Sequence, residues 1–83
     1  MKKLLHFTAD WCAPCKKMKP LIEEFAAENT DIEYIQINVD VDFDVAEEYE
    51  VMSIPTLIAI DNNLLVGRFT GLADKAKIEQ LFK

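Results

Sequence analysis

Eighty-three residues, 51% of them hydrophobic, suit one compact domain rather than a disordered tail. No apolar run approaches the roughly 20 residues that cross a bilayer, and in "MKKLLHFTADW" the apolar run stops at His6 and Thr8, too early for a secretory signal. The net charge of −6, with twelve acids and no Lys or Arg over residues 21–62, argues against nucleic acid as the main partner, because binding it needs a basic surface.

Lys3 to Phe7 is a short apolar run that ends in the turn-like "TAD", and it reads as a buried strand. From Ala13 the period changes. Cys15, Met18, Ile22 and Phe25 recur at spacings of three and four, which predicts a helix to about Glu28. Pro14 suits the first helical turn, where a missing N–H costs nothing. Pro20 falls inside the pattern and is expected to kink the helix. "NTD" at 29–31 is a break, and "IEYIQINV", Ile32 to Val39, alternates as a second strand.

Asp42 to Val51 predicts a short helix, with Asp44 and Glu47 spaced as a capping box. Thr56 to Ile60 is a third strand. Asp61, Asn62 and Asn63 form a hairpin turn, since Asn and Asp tolerate positive φ. Leu64 to Thr70 is a fourth strand. Asp74 caps a last helix that turns Ile78, Leu81 and Phe82 inward. The order is β-α-β-α-β-β-α. Its first half is a βαβ unit with parallel strands, and its second half is an antiparallel hairpin. Helices then cover both faces of one mixed sheet.

The two cysteines, Cys12 and Cys15, lie in "TADWCAPCKKMKP". The map puts Cys12 where the first strand ends and the first helix begins. Helix N-terminal N–H groups and the helix dipole favour a thiolate there. Lys16 and Lys17 add positive charge, and Asp10 opposes it. The balance is expected to lower the pKa of Cys12. Cys15, one turn on and facing inward, is positioned to resolve a mixed disulfide held at Cys12. A zinc site wants four ligands, and two cysteines with His6 fall short without a second chain. A structural disulfide would close a very small loop, and a cytoplasmic location favours a transient one. Redox chemistry is the reading left standing.

These residues resemble the thioredoxin family. "ADWCAPCK" is close to its active-site sequence, with Ala13 where glycine is usual. Pro20 matches the family's proline five residues after the second cysteine. "SIPTL" matches its cis-proline loop, which implies a cis Ile54–Pro55 bond. Gly71, followed by Leu72, matches the glycine before the last helix. The resemblance covers nearly the whole chain and implies a four-stranded mixed sheet ordered 2-1-3-4 with three helices. The family's initial strand and helix are absent from the pattern, which makes the second strand a sheet edge. Two substitutions are paired: His6 stands where the family has a buried aspartate, and Gln36 where it has that aspartate's lysine partner.

The resemblance implies a protein-disulfide reductase in which Cys12 attacks and Cys15 resolves, with no organic cofactor or metal. Trp11, Ala13, Pro14, Ile54, Pro55, Gly71 and Leu72 would contact the substrate, and Ile54 would pair with it as an added strand. His6 is either a base toward Cys15 or a hydrogen-bonded core histidine. The implied partners are disulfide-containing client proteins and a thioredoxin reductase-like electron donor, acting on a cytoplasmic monomer without membrane or nucleic acid. The competing readings are a glutaredoxin-like enzyme using glutathione, a non-catalytic binding module, and a dimer bridging a metal or cluster. The acidic run Asp40 to Glu50 reads as a solvated face.

Overall fold

A computed structural model of the protein describes residues 1–83. Its centre is β1 (Lys2–Thr8), flanked on both sides by other strands. Leu4 to Thr8 are all buried, which is why this segment reads as a continuous apolar run. β2 (Ile32–Asn38) pairs parallel to β1, with Leu4 opposite Tyr34 and His6 opposite Gln36. β3 (Thr56–Asp61) pairs antiparallel on its other side, and β4 (Leu64–Thr70) pairs antiparallel to β3. The sheet order is β2-β1-β3-β4, as the resemblance implied, and β2 is an edge.

Three helices cover the faces. α1 (Ala13–Glu28) buries Cys15, Met18, Ile22 and Phe25, one helical stripe, and runs on through the exposed Pro20. With Ile78 and Leu81 of α3 (Lys75–Leu81), this stripe packs on Leu4, Ile32, Leu57 and Ala59. Phe82, just past α3, stacks on Phe25 with ring centroids 6.3 Å apart. Lys75 ties the two helices at the surface, reaching Glu24 at 3.0 Å and Glu28 at 2.7 Å. On the opposite face, Ala46 of α2 (Phe43–Glu48) packs over Leu5, Phe7, Ile37, Ile58 and Ile60.

The turns follow their residues. Asn62 and Asn63 take φ of 52° and 67°, closing a two-residue hairpin between Asp61 and Leu64. The Asp74 side chain accepts from the Lys77 N–H at 2.9 Å and so caps α3.

The predicted Asp44–Glu47 capping box does not form. The N-cap is Asp42, which makes no side-chain cap bond, and Asp44 lies inside the first turn. The cap falls at Asp42, not Asp44, because the Asp42 N–H donates to the Asn38 carbonyl at 2.8 Å while the Asp42 carbonyl takes Val45 and Ala46. At that position the Asp44 carboxylate still favours the positive end of the helix.

α2 also stops earlier than Val51. Glu50 adopts φ of 55°, and the N–H groups of Val51 and Glu50 return to the carbonyls of Ala46 and Glu47 at 2.8 and 3.0 Å. This is a Schellman closure with glutamate in the left-handed position that glycine usually takes. The Arg68 guanidinium donates to the carbonyls of Tyr49 and Glu50 and so pins the closure to β4.

Candidate active site

Cys12 and Cys15 are joined by a disulfide, with Cα atoms 5.3 Å apart. Their environment is set by the ends of β1 and α1. Cys12 is the N-cap of α1 in extended backbone, and its Sγ accepts the Cys15 N–H at 3.2 Å. A sulfur that already receives a helix N-terminal N–H is one whose thiolate would be stabilised by the same donor. Ala13 and Pro14 occupy the first exposed turn, and Cys15 faces inward. Cys12 is itself only 4% exposed, packed with Ala9 and Cys15 against Val39 and Ile54.

Two loops meet over this pair. The Ile54–Pro55 peptide is cis, as the resemblance implied. Pro55 is buried, and its carbonyl accepts the Gly71 N–H at 2.9 Å. That bond brings Gly71, at φ of 118°, and the exposed Leu72 beside the cis-proline loop. Thr56 braces the loop from below, donating to the Ser53 carbonyl at 2.7 Å and lying 3.1 Å from the Thr70 hydroxyl. Trp11 is 69% exposed, and its Nε1–H donates to the Asp40 carboxylate at 2.8 Å.

His6 lies behind the cysteines. It is 1% exposed, and its Nε2 has no hydrogen-bond partner. A pocket of about 140 Å³ between β1, α1 and β2 is lined by His6, Cys15, Lys19, Gln36 and Asp10, among others. Tyr34 donates its hydroxyl proton to Gln36 at 3.3 Å, and the His6 Nδ1 lies 3.4 Å from that hydroxyl. With the Tyr34 proton on Gln36, the tautomer that fits is the one with its proton on Nδ1, and in that tautomer Nε2 is a bare acceptor. Burial, and then the charge of Lys19, lowers the His6 pKa to about 4. Burial, with Glu23 nearby, pushes Tyr34 up to about 12, so its hydroxyl stays a donor.

The structure thus gathers Cys12, Cys15, Ile54, Pro55 and Gly71 at one end of the sheet, with His6 beneath. Sequence reasoning missed Asp40 as the anchor of Trp11, and Val39 and Lys19 as wall residues. Asp40 is 29 positions from Trp11, and no local period links such a pair.

A thioredoxin family model matches residues 1–83. The chain is 42% identical over 78 residues to a thioredoxin of Chlamydia pneumoniae, covering 94% of this chain and 76% of that one. It is 33% identical over 82 residues to a thioredoxin of Mycoplasmoides gallisepticum, covering 99% and 82%. The chain belongs to the thioredoxin family.

Among solved structures, oxidised mitochondrial thioredoxin 3 of Saccharomyces cerevisiae superposes with a TM-score of 0.90 at 30% identity, covering 98% of this chain and 76% of that one. Thioredoxin of Fasciola hepatica also gives 0.90 at 30% identity, covering 98% and 78%. With its cysteine pair at the family's position, the protein is a thiol–disulfide oxidoreductase that acts on protein disulfides. These relatives lend no support to the glutathione-dependent or non-catalytic readings.

Proposed function

We propose that the protein is a cytoplasmic, monomeric reductant and electron carrier in which Cys12 is the nucleophile and Cys15 the resolving thiol. The carrying observation is the Cys15 N–H aimed at the Cys12 sulfur at the start of α1. The Cys12 thiolate attacks one sulfur of a client disulfide, and the other client sulfur leaves as a thiolate that takes up a proton. The Cys15 thiol then loses its proton and attacks the Cys12 sulfur, which releases the second client thiolate. Two electrons pass from the protein to the client, and the protein is left with a Cys12–Cys15 disulfide. A thioredoxin reductase-like donor restores the dithiol.

Trp11, Ala13, Pro14, Leu72 and Gly71 form the rim a client would meet, and the Ile54 backbone next to cis-Pro55 offers it a strand partner. His6 Nε2, bare and sharing a pocket with Cys15, is the acceptor for the Cys15 proton directly or through water. Burial and the Lys19 charge lower its basicity, and a thiolate forming at Cys15 opposes that shift.

The test is the reduction of insulin disulfides driven by dithiothreitol, together with the reduction potential of the pair at pH 7. Cys12→Ser should abolish turnover, and Cys15→Ser should trap a client as a mixed disulfide. A potential at or below roughly −230 mV supports the reductant, and one near −120 mV makes the protein an oxidant instead.

A further inference from the structure

An apolar strip leaves the cysteine site and runs toward α2. Its first segment is a groove of about 410 Å³ lined by Trp11, Val39, Val51, Met52 and Ile54. Its second is a groove of about 510 Å³ lined by Phe43, Ala46, Glu47 and Glu50, sharing Val39, Val51 and Met52 with the first. Val39 and Ile54 also pack on Cys12 and Cys15, so the strip is continuous with the redox pair. Met52 is 93% exposed and Phe43 68% exposed, large apolar surfaces with nothing of this chain to cover them.

The charge along the strip has one sign. Glu47 and Glu50 line it, with Asp40 and Asp44 in the same stretch of chain, while Asp42 and Glu48 line the neighbouring groove with Lys3; no Lys or Arg lies between Lys19 and Arg68 in the sequence. Arg68 comes close, but its guanidinium is directed to the Tyr49 and Glu50 carbonyls. Asp40 is held by Trp11, and the other carboxylates make no ion pair. On the other side of Cys12 the exposed charges nearest it are Asp10, Lys16, Lys17 and Lys19. The surface therefore changes sign at the cysteines, net basic at the first turns of α1 and acidic with apolar relief toward α2.

We propose that the strip from Trp11 over Met52 to Phe43 binds the client segment beside its disulfide, selecting an extended peptide with a bulky apolar residue flanked by Lys or Arg. This rests on the reductant reading above and names its substrate class. The apolar residue fills the groove over Met52, and the client's cations face Glu47 and Glu50. Charge complementarity of this kind acts mainly on encounter, and it weakens as salt shortens the screening length.

The test uses two synthetic peptides, each with one cysteine carried as a mixed disulfide with 5-thio-2-nitrobenzoate and one leucine nearby. One peptide has four lysines and the other four glutamates at the same positions. Reduced protein releases the coloured thiolate, and the second-order rate constant is read at about 20 mM and 500 mM salt. The lysine peptide should react about tenfold faster at low salt, and the ratio should collapse at high salt.

Glu47→Lys with Glu50→Lys should remove or invert the preference. Glu33→Lys with Glu79→Lys changes the net charge equally on distant exposed positions and should leave most of it. Phe43→Ser with Met52→Ser should slow both peptides several-fold more than it slows the free aromatic disulfide. Equal rates for the two peptides at low salt overturn the proposal. So does a preference that both charge pairs alter alike, which would belong to net charge and not to the strip. A protein inert toward both peptides and toward insulin fails as a reductant, and the proposal fails with it.

Discussion

His6 buries an imidazole in the centre of the sheet with one nitrogen unpartnered, and the consequences can be separated by pH and by kinetics. Above pH 6.5 the imidazole is neutral in both folded and unfolded chains and adds no pH dependence. Between 6.5 and about 4 the unfolded chain binds a proton that the folded protein resists. Stability from this source is therefore complete above pH 6.5 and falls as pH drops toward 4, by on the order of 3 kcal/mol across the window. Urea midpoints at pH 7 and 4.5 for the protein and for His6→Asn should show a shallower loss in the variant. Equal losses would mean that the ring is solvated when protonated. The kinetic consequence is independent of this: His6→Ala should slow release of client from the mixed disulfide and leave attack by Cys12 unchanged. Equal release rates would leave His6 a core residue only.

At the scale of elements, two contacts hold the layers in register. α3 packs so closely on β4 that a Cβ at Gly67 would lie 2.3 Å from the Leu81 carbonyl oxygen. Gly67→Ala forces backbone apart and should cost about 1–3 kcal/mol, with faster hydrogen exchange in α3 as the local sign. Arg68 joins the end of α2 to β4 through two carbonyls, and Arg68→Ala should lower stability in denaturant titrations by about 1–2 kcal/mol. Neither contact is visible in the sequence, because both join positions far apart in it.

What the sequence does carry is period and turn chemistry. The alternation in β2, the stripe of α1 and the Asn62–Asn63 turn are legible because each is a local choice. The cis Ile54–Pro55 bond and the place of Gly71 beside the site are legible only through family likeness, and the Gly71 hydrogen bond to Pro55 is not legible at all. The Asp44–Glu47 spacing misled, since the Asn38 carbonyl claims the Asp42 N–H and the cap falls at Asp42, two residues before Asp44. The carboxylates of the acidic run Asp40 to Glu50 are all exposed, and the charges around the exposed Phe43 dominate the local pattern.

At the scale of the molecule, the disulfide and the fold are coupled, and the sign of that coupling bears on direction. A bridge between Cys12 and Cys15 closes a loop of four residues in the unfolded chain. Loop-closure entropy puts its stabilisation of the fold at about 2 kcal/mol. By the thermodynamic cycle, the fold stabilises the disulfide by the same amount, which lowers the potential of the folded pair about 40 mV below that of the unfolded one. The N–H aimed at Cys12 opposes this, because it also stabilises the thiolate of the reduced form. A reductant needs the first effect to exceed the second, so the oxidised protein should unfold at the higher denaturant concentration. Guanidinium titrations of oxidised and dithiothreitol-reduced protein at pH 7 read the difference directly. If the reduced form proves the more stable, the thiolate has the advantage and the molecule is poised to pass its disulfide to a dithiol client, taking up that client's two electrons, rather than to reduce a client disulfide.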